Sequence, residues 1–413
     1  MYQTQTPRKN IFCPAALAAA CAAVLLGGFT TMPVLAGDNL TDALTGGKAT
    51  LDMRVRYEGV NQDNALDDAT ALTVRTRLGY KTGDFMNISG FLEMSNVTSL
   101  TADEDYNSKA NGNAAYSVIA DPTNTIVNRA YLDYTGIADT TLRYGQQRII
   151  YDNARFIGNV GWRQTEQTYT AFRITNKSLS DTTLDYAYLS NRFTITAGNE
   201  DIKAHLLNAN YSGLGVGKLT GYAYLLEFEA PAAASKSSQT VGVRFNGATK
   251  GDLTFVYTAE YANQSDYKDG SSDIDASYYR LIGGIGMSGI TVSLGYEVLG
   301  SNSGNYGFST PLATLHGQNG WADQFLGTPK DGLTDATLKV AGKLAGVKLV
   351  GVYHDYSADD GSADYGSELD FLAAMKFGKN YSVGLKLASY KAGDAGTGKV
   401  DTDKLWIWGG LKF

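Results

Sequence analysis

The chain has 413 residues, 43% of them hydrophobic, and a formal net charge of -7, a balance that argues against a nucleic-acid partner. A mean hydropathy of -0.20 excludes a bundle of membrane helices but not a transmembrane barrel, whose strands carry one polar face. Gly (47) and Tyr (27) are abundant while Pro (7) and Cys (2) are scarce, a composition of strands and turns.

Residues 1–36 read as a secretory signal. Arg8 and Lys9 supply the charge, 15–26 the apolar core, and Val34-Leu35-Ala36 a small-residue cleavage site. Cys13 and Cys21 both fall inside this segment, so cleavage after Ala36 removes every thiol. A lipoprotein anchor at Cys21 is disfavoured, because Ala18 stands where a bulky aliphatic is usual. Loss of Arg8 and Lys9 takes the formal charge from -7 to -9. No later apolar run reaches the length of a membrane helix, which leaves periplasm, outer membrane or medium as destinations.

From residue 37 onward the pattern has a period of two. Leu51, Met53, Val55 and Tyr57 alternate with Asp52, Arg54, Arg56 and Glu58, and Leu72, Val74, Leu78 and Tyr80 with Thr73, Arg75, Arg77 and Lys81. Similar alternation recurs through residues 130–134, 241–245, 253–261, 292–298, 338–344, 369–377 and 383–387, and no segment reads as an amphipathic helix. Short connections at 82–85, 135–139, 177–181, 212–217, 248–252, 287–289, 344–346 and 377–380 alternate with longer polar ones. The longer ones lie near 60–69, 98–126, 150–163, 193–200, 229–238, 264–274, 300–332, 357–364 and 391–400. Short turns at one rim and long loops at the other is the outer-membrane pattern, with the turns in the periplasm. The count predicts an all-β fold: one closed antiparallel transmembrane barrel of eighteen strands over 37–413, closed because an open edge in lipid leaves backbone groups unsatisfied.

Charge singles out the stretch from Arg143 to Ile174, which sets Arg143, Arg148, Arg155, Arg163 and Arg173 on two strands and the loop between them. With Arg54, Arg56, Arg75, Arg77 and Arg129 they form the candidate path for solute, since forked guanidinium donors match carboxylates. The same arginines equally suit struts paired with Glu166, Asp152, Asp139 and the wall acids Asp52, Glu58, Glu93, Asp133, Glu260, Glu297, Glu368 and Asp370. Phe156 and Trp162 on 152–162, and Trp321 and Phe325 on 308–326, are candidates for a constriction and a lid. The spacing of Leu312, Leu315, Trp321, Phe325 and Leu326 suggests a short helix there. Only His205, His316 and His354 are available for proton transfer, without a serine or carboxylate at a spacing that suggests catalysis. His354 beside Asp355 reads as a strand-end residue. Neither a metal motif nor a cofactor motif is present.

The segment LWIWGGLKF, with Phe413 last, resembles the signal read by the outer-membrane assembly machinery. TPLATLHGQNGWADQFLGTPKDGL, within 305–340, and GQQRIIYDNARFIGNVGWRQ, within 143–174, resemble recurrent elements of the alginate export (AlgE-like) family. Gln146 departs from the family's common arginine. The resemblance implies an outer-membrane porin or export channel, and partners then include membrane lipid and lipopolysaccharide, the barrel-assembly machinery through Phe413, and an anionic saccharide or other anionic solute, with the barrel a monomer. Two alternatives stay open, an uptake porin of the same architecture and a non-conducting surface barrel.

Overall fold

The computed structural model describes residues 39–101 and 103–413; the signal segment with Cys13 and Cys21 lies outside them. The strands in chain order are β1 (Lys48–Gln62), β2 (Ala69–Lys81), β3 (Ile88–Ser99), β4 (Asn124–Ile137), β5 (Thr140–Gln147) and β6 (Thr168–Asn176). They continue as β7 (Thr182–Phe193), β8 (Asn199–Tyr211), β9 (Lys218–Phe228), β10 (Ser238–Ala248), β11 (Leu253–Asp266) and β12 (Asp275–Met287). The last are β13 (Ile290–Leu299), β14 (Leu333–Leu344), β15 (Val347–Ser357), β16 (Asp364–Phe377), β17 (Tyr381–Lys391) and β18 (Thr402–Lys412). Each pairs antiparallel with its neighbours in sequence, and β18 returns to β1, so the eighteen-stranded sheet is closed. Closure runs from Asp52 opposite Lys412 to Gln62 opposite Thr402, and Leu51 and Phe413 exchange backbone bonds of 2.9 and 3.2 Å beyond it.

Alternation decides which face is which. Val55, Leu92, Leu132, Leu281, Leu294 and Leu369 stand exposed on the outer wall, as an apolar band for lipid requires, while Arg56, Glu58, Glu93 and Asp133 on the opposite parity are buried inside. At the turn rim, Ser288-Gly289 and Ala345-Gly346 each have both φ values positive, at 52° and 80° and at 49° and 83°. That is the two-residue hairpin geometry whose twist matches the strands it joins.

Two features depart from the sequence-based expectation. A helix, α1 (Leu40–Thr45), precedes β1; its cap is Asn39, whose side chain accepts from the Asp42 N–H at 2.9 Å. It docks on the turn rim where Gly83 N–H donates to Ala43 O at 2.8 Å and the Tyr80 hydroxyl to Leu44 O at 2.6 Å. Second, β4 is bulged. Arg129 pairs opposite Glu93 and Val127 opposite Met94, which leaves Asn128 unpaired between them. The bulge turns the Asn128 side chain inward to donate to Glu93 at 2.6 Å and Glu166 at 2.7 Å.

Candidate functional site

The long connections at 148–167 and 300–332 fold into the barrel and dock on each other. Gly158 N–H donates to Leu312 O at 2.8 Å, Thr314 N–H to Ala154 O at 2.9 Å, and Val160 N–H to the Thr314 hydroxyl at 3.0 Å. Only glycine fits at 158, because a Cβ there would meet Thr314 Oγ1 at 2.3 Å. Side chains extend the seam: Arg155 donates to Asn319 Oδ1 at 3.1 Å and Gln318 to Asn153 O at 3.1 Å.

The first loop then crosses to β1 and β2. Arg54 donates to the carbonyls of Gly161, Trp162 and Arg163 at 3.3, 2.8 and 2.6 Å and to Gln164 Oε1 at 3.0 Å. Gln164 in turn donates to the Thr73 hydroxyl at 2.9 Å. The connection between β3 and β4 reaches the same place, where Asp121 pairs with Arg56 and accepts from Gln164 N–H at 2.7 Å.

Every other arginine of the candidate path faces a carboxylate. Arg56 lies 3.1 Å from Glu58, Arg77 3.0 Å from Glu166, Arg129 2.7 Å from Glu93, and Arg143 2.6 Å from Asp133. Arg148 lies 2.5 Å from Glu166, Arg155 3.0 Å from Glu297, Arg163 2.9 Å from Glu58, Arg173 2.7 Å from Asp185, and Arg75 pairs with Asp52. Arg56 and Arg155 are wholly buried, whereas the Arg148, Arg143 and Arg173 side chains keep 31%, 26% and 21% of their surface. Of the wall acids, Asp52, Glu58, Glu93, Asp133, Glu260 and Glu297 pair with arginines, the last two lying 3.8 and 3.6 Å from Arg244 and Arg280, whereas Glu368 and Asp370 meet no arginine among the described residues. Asp152 pairs instead with Lys218 at 2.9 Å, and Asp139 sits in the β4–β5 turn with φ of 54°.

The four aromatic candidates divide into two groups. Phe156 and Phe325 are wedged in the wall: Phe156 packs 5.1 Å from Tyr222 and 5.3 Å from Tyr278, and Phe325 4.5 Å from Tyr356. Trp162 and Trp321 surround a lysine. Lys386 of β17 places Nζ 3.7 Å from the Trp321 ring, 4.4 Å from Trp162 and 5.4 Å from Trp406. Its ammonium donates to His316 Nε2 at 2.7 Å, and His316 Nδ1 faces Asp323 at 2.7 Å. Burial pushes His316 down to about 3 against the pull of Asp323, so the ring is neutral and Nε2 is free to accept. Trp162 stacks flat on His316 at 4.9 Å and meets Trp406 and Trp408 edge-on at 5.7 and 5.6 Å.

Sequence reasoning missed Lys386, His316 and Trp406 as one cluster, although Trp406 and Trp408 share the inward parity of Lys404. It also expected a short helix in 308–326, where the structure has only a 3-10 turn at Leu315–Gly317. The helix is defeated because the polar groups of 319–323 are drawn to different strands. Asn319 donates to Glu297 and Asp335 at 2.7 and 3.0 Å, Trp321 and Ala322 N–H to Glu368 at 2.5 and 2.7 Å, and Asp323 accepts from Lys404 at 2.8 Å. Gly320, with φ of 80°, lies against Glu368 where a Cβ would be 2.2 Å from Oε2. His354 is likewise inside β15 and buried, 2.9 Å from Asp335, not at a strand end.

Lysines at the turn end of the lumen differ from the arginines. Lysine ion pairs among the described residues are Lys203–Glu229, Lys218–Asp152, Lys391–Asp401 and Lys404–Asp323. Lys339, Lys343, Lys348 and Lys376, exposed on the inward parity of β14, β15 and β16, are in none of them. Lys343 and Lys348 stand directly opposite across strands, an arrangement that costs stability unless water or an anion screens it.

Among curated proteins none matches this sequence significantly. Solved structures with the same fold include Acinetobacter baumannii OccAB4, at TM-score 0.68 and 14% identity over 89% of this chain and 98% of that one. Pseudomonas aeruginosa OccK9 (OpdG) matches at TM-score 0.70 and 12% identity over 90% and 100%, and P. aeruginosa OpdK, solved with vanillate, at 0.67 and 14% over 88% and 98%. The sequence model of the alginate export family matches residues 50–300, a span that includes the 148–167 loop. This barrel is an outer-membrane channel protein and belongs to the alginate export family.

Proposed function

We propose that the channel passes anionic solutes, an acidic polysaccharide of the alginate type by family membership, and that the unpaired lysines of β14–β16 guide them. The observation that carries this reading is the contrast between the candidate arginines, all but Arg54 paired with carboxylates, and Lys339, Lys343, Lys348 and Lys376, which stand exposed and in no ion pair among the described residues. A low-dielectric wall focuses the field of such charges, so a few of them bias the ions that enter. Arg143, Arg148 and Arg173 add partly exposed guanidiniums opposite the lysine wall. Their paired acids leave them as donors for hydroxyl or carboxylate oxygens more than as net charge.

The test is reversal potential in a salt gradient across a planar bilayer. The parent should prefer anions, and a variant with Lys339, Lys343, Lys348 and Lys376 all changed to Gln should lose most of that preference. Changing Arg75 or Arg77 to Gln should instead impair assembly. A second reading, uptake of a small organic anion, is favoured by the neighbour solved with vanillate, a carboxylate. Conductance block by monomeric uronate or vanillate, without block by oligomers, would select it.

A further inference from the structure

Glu368 and Asp370 stand two apart on the inward face of β16, and neither is accessible. Glu368 is fully engaged: one oxygen accepts from Trp321 and Ala322 N–H, and the other faces the Tyr356 hydroxyl at 3.5 Å. Asp370 is the opposite case, because neither of its oxygens has a hydrogen-bond partner among the described residues. Among the described residues the one basic nitrogen within ion-pair distance is His354 Nε2, at 3.7 Å, and the other nitrogen of that ring is committed to Asp335 at 2.9 Å. The remaining charged and titratable groups facing the pair are Tyr356 of β15, Asp335 of β14, Glu297 of β13, Lys386 and Tyr390 of β17, and Asp323 and His316 of the inserted loop. Lys386 faces the pair, but among the described residues it is in ion-pair contact with neither acid, its ammonium being set among indoles and donating to His316. A bare carboxylate in such a dry place is strongly disfavoured, whereas one proton shared by two adjacent carboxyls satisfies it.

We propose that Glu368 and Asp370 share one proton while the 300–332 loop is docked, and that loss of this proton releases the Asn319–Asp323 segment from the wall. The latch rests on the channel reading above for its consequence, but not for its chemistry. The step is loss of a carboxyl proton from Asp370 to water. It leaves two neighbouring carboxylates with no ion-pair contact beyond His354 at 3.7 Å, and their repulsion is relieved when water enters beneath Trp321 and Ala322. Docking is therefore favoured at low pH and lost as pH rises through the titration of the pair, because the released state binds fewer protons.

All four tryptophans of the chain, Trp162, Trp321, Trp406 and Trp408, lie around this latch, so intrinsic fluorescence of the full-length barrel in detergent reports it directly. As pH rises the parent should shift reversibly from docked to hydrated emission, whereas Asp370→Asn, which needs no proton, should hold docked emission at every pH. An Asp370→Asn variant that titrates like the parent overturns the proposal. So does one with hydrated emission at every pH, which would make Asp370 an ionised partner of Lys386. Infrared difference spectra of the parent give a check that needs no variant: the band of a protonated carboxyl must vanish with the same midpoint, and its absence at low pH overturns the latch. Emission that follows pH in a barrel that never conducts leaves the latch standing and removes the channel reading. Conductance with the same pH profile in Asp370→Asn as in the parent does the reverse.

Discussion

Glu166 holds the 148–167 loop in place. It lies 3.0 Å from Arg77 and accepts from Arg148 at 2.5 and 2.6 Å, Asn128 at 2.7 Å and Asn159 at 2.5 Å, so two strands and two parts of its own loop converge on one carboxylate. Burial alone would raise its pKa, but the Arg77 and Arg148 guanidiniums hold it at about 2. With the folded value depressed below the ordinary 4.5, this clamp contributes above that value and is lost as pH falls toward about 2. Glu166→Gln strands the buried guanidinium of Arg77 and weakens the hold on the partly exposed Arg148, and should cost about 3 kcal/mol, read as a lower temperature of conversion in heat-modifiability gels. A variant as heat-stable as the parent would show that the loop is held elsewhere. The sequence made the arginines legible as inward residues, because alternation fixes parity. It left their partners open: Arg54 meets 161–164 more than a hundred positions away, a contact set by how far a loop reaches and not by strand periodicity.

At the scale of elements, the strand boundaries followed from the turn residues, and the connections at 212–217, 248–252 and 300–332 fit between strands much as read from sequence. The interior of the long loops was less legible. Apolar residues at helical spacing in 308–326 instead serve separate wall sites: Phe308, Leu312 and Phe325 are buried, while Leu326 is half exposed. α1 was missed because its cap, Asn39, stands beside the expected cleavage site and the helix spans only six residues. Removing 316–324 deletes the contacts to Glu368, Lys386 and Lys404 while sparing Gly158–Leu312. The shortened barrel should assemble, conduct more than the parent and lose the tryptophan cage. Failure to assemble would make the loop a part of the folding core and not a removable lid.

For the whole molecule, strict alternation of short and long connections carried the barrel, since eighteen antiparallel strands with all turns at one rim leave few other arrangements. With the turns periplasmic, an epitope inserted near Asn111 should be labelled on intact cells and one near Lys250 should not; reversed labelling would invert the barrel. The inward fold of the two loops was not fixed by that pattern, because loop length alone does not tell an inward fold from an outward one. Regulation of the proposed anion path by these two loops can be read from single channels. Planar-bilayer recording of the parent beside a variant lacking 153–161 tests it most directly. Small or infrequent steps are expected in the parent, larger steps in the variant, and a reversal potential on the anion side in both. Equal conductance in the two proteins, or cation preference in the shortened one, would contradict it.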